Sequence, residues 1–125
     1  MSEARDGRLV GSWKTDLEDD GRSVFGLASF SSDGGVVSTQ LNTRNIGLGN
    51  WRSTGADTFE YSFHILAANP EGEHVGEAHV KVEGRFVSDS EWQGLGGATF
   101  YSPEGKALRS HGGSKVKATK FGIDD

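Results

Sequence analysis

Histidine and tyrosine are the side chains in this chain best suited to acid–base or metal chemistry near neutral pH, because cysteine is absent. The histidines are His64, His74, His79 and His111. A metal site built on one element needs two ligands at i, i+2 on a strand or i, i+4 on a helix. His74 and His79 fit neither spacing, and no His-Glu-x-x-His pattern occurs. Ligation would require convergence across strands. With no thiolate and only scattered carboxylates, the sequence predicts no metal, and it places the histidines on a surface or rim.

Tyr61 is the polar group with the most telling surroundings. It alternates with Phe59, Phe63 and Ile65, while Thr58, Glu60, Ser62 and His64 occupy the other face. A phenol in an apolar stripe either donates to a neighbouring carbonyl and serves packing, or meets a ligand carbonyl as donor or general acid. Gln40 is a second candidate for polarising a carbonyl, and it shares a strand face with Ser38. Ser29 shares a face with Phe25 and Leu27. These polar groups could orient a ligand in an otherwise apolar pocket. Phe59, Phe63, Trp51, Trp92 and Phe100 would complete its walls, or would simply be core.

Other chemistries find little support. Gly94-Leu95-Gly96-Gly97 and Gly47-Leu48-Gly49 have the glycines of a phosphate loop, but neither precedes a helix, whose N-terminus makes such a loop an anion site. No Gly-x-Ser-x-Gly elbow occurs. The net charge of −5 disfavours nucleic acid, whose phosphates call for clustered Lys and Arg. Lys115, Lys117 and Lys120 read as a solvated strand face. No run approaches the roughly 18 apolar residues of a spanning helix, and Met1–Asp6 lacks a signal's apolar region. The expectation is a cytoplasmic protein without cofactor, nucleic-acid partner or membrane partner, its oligomeric state open and a homodimer included.

These residues need a scaffold, and the scaffold is legible. At 125 residues the chain is one domain, 1–125, with 1–7 and 122–125 expected to fray. Nineteen glycines are about twice average usage and mark turns and bulges. Period-2 alternation between Gly- or Asp-bearing turns predicts strands at 9–17, 22–31, 36–41, 49–53, 58–66, 74–87, 91–101 and 107–121. A bend is expected at Gly112-Gly113. About eight antiparallel strands with short links suit an all-β up-and-down barrel, whose closure removes exposed edges.

Gly94, Gly96 and Ala98 share a face with Trp92 and Phe100; Ser110, Gly112, Ser114 and Ala118 share one with Leu108 and Val116. Faces this poor in bulk predict an internal cavity.

Gly11-Ser12-Trp13 followed by this meander resembles the lipocalin-like (calycin-type) barrels, in which the tryptophan plugs one end beneath the first strand. Gly47-Leu48-Gly49-Asn50-Trp51 with Thr58-Phe59-Glu60-Tyr61-Ser62-Phe63 is similar to small stand-alone bacterial members. The second and third lipocalin motifs are missing. The resemblance implies a hollow barrel for a small hydrophobic molecule. It includes cofactor-free cyclases and isomerases of natural-product pathways, which fold a polyene or polyketide inside the barrel. The expectation is therefore such a cyclase or isomerase, with Tyr61 or Gln40 polarising a carbonyl; the alternative is a non-catalytic carrier.

Overall fold

Strand follows strand because apolar and polar residues alternate between tight turns, and the computed structural model, which describes residues 6–19 and 21–123, shows eight of them. They are β1 (Gly11–Asp19), β2 (Arg22–Phe30), β3 (Gly35–Gln40), β4 (Gly47–Ser53), β5 (Thr58–Ala68), β6 (His74–Ser88), β7 (Glu91–Tyr101) and β8 (Ala107–Phe121). Each pairs antiparallel with the next, and β8 returns to β1 to close a barrel. Among the described residues there is no helix, and hence none long and apolar enough to cross a membrane.

Alternating hairpins give the barrel two ends. Connections 41–46, 69–73 and 102–106 lie at one end; 31–34, 54–57 and 89–90 lie at the other. The second end is closed from below by residues 6–10. There Leu9 and Trp13 are fully buried, Trp13 Nε1 donates to the Leu9 carbonyl at 2.9 Å, and the Trp13 and Trp92 rings sit 6.2 Å apart. Arg8 lies over the Phe86 ring at 4.3 Å and bridges Asp6 and Asp57. Hydrogen bonding from Arg8 holds the Asp6 carboxyl below its ordinary value. Asp6 and Gly7, expected to fray, are therefore part of the plug: the Asp6 amide donates to Ser53 Oγ at 2.8 Å, and the Gly7 carbonyl accepts from Val10. Residues 1–5 and 124–125 lie outside the described residues. Lys120, near the end of β8, also belongs here, donating to the Arg8 carbonyl at 3.0 Å, whereas Lys115 and Lys117 are exposed on the outer face.

Register follows from which side chains must be inside. Phe59, Tyr61, Phe63 and Ile65 of β5 are all buried, with Ser62 and His64 exposed. Residues directly opposite share a face, so Trp51 and Val82, the partners of Tyr61, are buried too.

The same rule corrects two expectations. In β2 the inward set is Ala28 and Phe30, while Phe25, Leu27 and Ser29 face outward. Trp13 pairs with Ala28, so an inward indole fixes Ala28 inward and puts Leu27 outside opposite Lys14, and Phe25 outside opposite Asp16. Both faces of β2 carry apolar residues, so its alternation alone did not decide between them. In β8 the pairing slips: Gly96 faces Ser114, but Ala98 faces His111, three residues back. Gly113, with φ +75°, supplies the left-handed residue of this bulge. The slip reverses the faces beyond it. Ser110 bonds Thr99 at 3.0 Å in an exposed pair, Leu108 is exposed, and His111, itself exposed, joins the cavity lining.

Candidate functional site

Between the aromatic floor and the open end lies a cavity of about 190 Å³. It exists because the strands facing Tyr61 and Phe63 are short of bulk, with Ala78 on β6 and Gly96, Gly97 and Ala98 on β7. Not every glycine contributes to it. Gly84 and Gly47 face inward but are covered by the Phe59 and Phe63 rings, so there the missing side chain admits an aromatic ring rather than empty space. The cavity shares Asn42, Thr43, Ile65, Ala78 and Phe100 with a wider vestibule of about 600 Å³ at the open end.

Tyr61, Gln40, Ser38, Phe63 and Phe100 line this cavity. Phe59, Trp51 and Trp92 are buried but lie outside its lining, and their role is to build the core around it. Trp92 packs its ring against Phe59 at 5.2 Å and Tyr61 at 5.9 Å. Trp51 meets Phe30 edge-on at 6.4 Å and donates Nε1 to the Ser31 carbonyl at 2.8 Å. Phe25 and Leu27 instead edge a shallow surface depression with Lys14 and Leu41, and Ser29 lies within reach of Ser12 at 3.4 Å on the exterior. These three therefore stand apart from the interior group.

Tyr61 is held by rings on several sides. Phe59 and Phe63 stack along β5 at 6.4 and 6.1 Å, and the edge of Phe30 approaches at 5.0 Å. Its hydroxyl forms no hydrogen bond with the described residues and faces the cavity; the fully buried side-chain atoms left unpaired among those residues are Asp16 Oδ1 and Trp92 Nε1. Burial raises its pKa well above the usual 10. The phenol thus remains protonated at neutral pH and can only donate to, or accept from, whatever enters the cavity.

His111 is the lining residue that alternation concealed. The visible signal was Gly112-Gly113, read as a bend rather than as a one-residue slip. With Tyr61 it gives the cavity an imidazole and a neutral phenol. Ser38, Gln40 and Ser114 add short polar groups.

Outside the barrel a separate cluster forms where β5 meets β6. His64 stands opposite His79, their rings stacked at 3.5 Å, and Glu77 lies two residues along the same face. Glu77 Oε1 is 2.8 Å from His79 Nε2 and 3.7 Å from His64 Nδ1. The hydrogen bond with His79 lowers the Glu77 pKa. The convergence that spacing could not show is thus achieved across strands, and His64, Glu77 and His79 could together hold a metal ion.

No protein-family model, curated protein or solved structure matches this chain. The closed antiparallel barrel is consistent with a calycin-like fold.

Proposed function

We propose that the protein binds a small, mostly apolar molecule carrying one hydrogen-bond acceptor, with that acceptor placed on the Tyr61 hydroxyl. The observation that carries this reading is a buried phenol that lines a cavity and has no hydrogen-bond partner among the described residues. A hydrogen bond from this hydroxyl to a ligand acceptor is worth about 0.5–1.5 kcal/mol net. Size narrows the class. An apolar cavity of about 150 Å³ holds benzene, so about 190 Å³ admits a single ring slightly larger than that. A longer chain would extend past Phe100 into the vestibule. A folded polyketide does not fit the inner chamber alone. The lipocalin-like resemblance supports the same reading at the level of fold.

A second reading makes the barrel a cofactor-free isomerase or cyclase, and the pairing of His111 with Tyr61 in one lining favours it. The imidazole would take a proton beside the ligand carbonyl and return it at another carbon. Tyr61 or Gln40 would hydrogen-bond the developing oxyanion, and the cavity would fix the conformer.

One experiment separates the readings. The purified protein is incubated with a small-molecule extract, followed by native mass spectrometry of the protein and chromatography of the extract. Retention of a compound at one equivalent with an unchanged extract supports the carrier. Conversion of one isomer to another at unchanged mass supports the enzyme. Binding that survives when Gly96→Leu fills the cavity of a folded protein would overturn both.

A further inference from the structure

We propose that His64, Glu77 and His79 form a binding site for a first-row divalent transition metal on the outer face of the barrel, of the class of Zn²⁺ or Ni²⁺. The proposal does not depend on the internal cavity.

Two imidazoles and one carboxylate are a donor set suited to such ions, and the lack of thiolate excludes a soft sulfur site. The geometry lies close to what coordination requires. In a tetrahedral site with bonds of about 2.0–2.1 Å, adjacent donor atoms stand about 3.3 Å apart. The distances from Glu77 Oε1 to His79 Nε2 and to His64 Nδ1, 2.8 and 3.7 Å, bracket that value. All three donor atoms lie within 4.8 Å of one another. The stacked rings lie nearly parallel, at 6°, so one ring must rotate to bring both nitrogens onto a single ion. His64 is free to do this: its side chain is 57% exposed, and the χ2 torsion of histidine is broad. His79 is the fixed member, held between the His64 ring and the Tyr101 ring at 4.3 Å.

The backbone supplies the preorganisation. His64 and His79 are directly paired across two antiparallel strands, and Glu77 precedes His79 by two residues on the same face. The arrangement therefore comes from the sheet register and not from a loop. Lys81, the next residue on that face of β6, is engaged by Glu60 at 3.4 Å. Binding would replace the Glu77–His79 hydrogen bond with two metal bonds and leave a fourth position open to solvent. Glu77 also lines the vestibule, so a bound ion would stand at its outer edge.

The test titrates Zn²⁺, and separately Ni²⁺, into the full chain with calorimetry and histidine-ring NMR. One equivalent should bind saturably and shift the ring signals of His64 and His79 but not those of His111. His79→Gln and His64→Gln should each weaken binding at least tenfold, while His74→Gln changes it less than twofold. The NMR readout on the unaltered protein stands even if a variant folds poorly. Absence of saturable binding, binding that persists in His79→Gln, or binding that follows His74 would overturn the assignment.

Discussion

The outer end of the Phe59 ring lies over Gly84 of the neighbouring strand, so that a single added methyl at Gly84 would collide with the ring. Phe59 is itself almost fully buried between Phe86 at 5.1 Å and Trp92 at 5.2 Å, and it cannot retreat. Gly96, two strands from Phe59 in the barrel wall, is the contrasting case. A Cβ there would meet Val82 and Val116 at 3.4 Å, in ordinary contact at the edge of the cavity. Gly84→Ala should therefore cost about 1–3 kcal/mol as overpacking. Gly96→Ala should leave stability nearly unchanged. Denaturant midpoints of the two variants check this, and equal losses would show that the space beside Gly96 is already filled.

Tyr61→Phe removes the hydroxyl and keeps the ring. Because that hydroxyl has no partner among the described residues, the melting temperature should stay the same or rise slightly. Affinity for the retained ligand should fall by up to about tenfold, the worth of one hydrogen bond. A turnover loss on the order of 10²-fold or more at unchanged stability would instead mark the phenol as part of a catalytic machinery. A large loss of stability would return Tyr61 to the core.

The raised Tyr61 pKa carries a consequence at alkaline pH. The unfolded chain ionises this phenol near 10, and the folded chain only at higher pH. Protons are thus held by the folded state after the unfolded state has released them. The stability linked to Tyr61 is fully present below pH 10 and lost as pH rises from there through the raised value, by at most about 1.4 kcal/mol per pH unit. In a Tyr101→Phe background, Tyr61 is the sole tyrosine. Its phenolate absorbance should then appear together with unfolding and not before it. A native protein showing full phenolate absorbance near pH 10 would contradict the burial.

The barrel was legible in the sequence because alternation and turn residues act locally. The limits expected for β7 and β8 match the structure, and β5 kept its inward stripe because Thr58, Glu60, Ser62 and His64 make its other face polar over most of its length. The second strand was not legible in the same way. Phe25 and Leu27 compete with Ala28 and Phe30, and only the pairing of Ala28 with Trp13 settles which set turns inward. Trp51 and Trp92 were recognised as interior residues, but whether a buried ring lines a cavity or packs beneath it depends on strand packing across the barrel. The histidine cluster on β5 and β6 was hidden for a related reason, since His64 and His79 meet through register and not through sequence spacing.

His111 is the residue whose position depends on a single backbone conformation, and the two glycines beside it offer a sharp test. Gly113 adopts φ +75°, in the left-handed region where a Cβ is strained. Gly112 has no such φ, and a Cβ there would meet nothing within 4 Å. If the bulge sits at Gly113, Gly113→Ala should destabilise the protein by about 1 kcal/mol. Gly112→Ala should be neutral or slightly stabilising, because it restricts the unfolded chain without straining the folded one. The two substitutions are chemically identical and adjacent, so differences in hydrophobicity or bulk cancel between them. Denaturant unfolding of both variants measures the contrast directly. A reversed order would place the slip elsewhere and remove the ground for setting His111 in the cavity lining it shares with Tyr61.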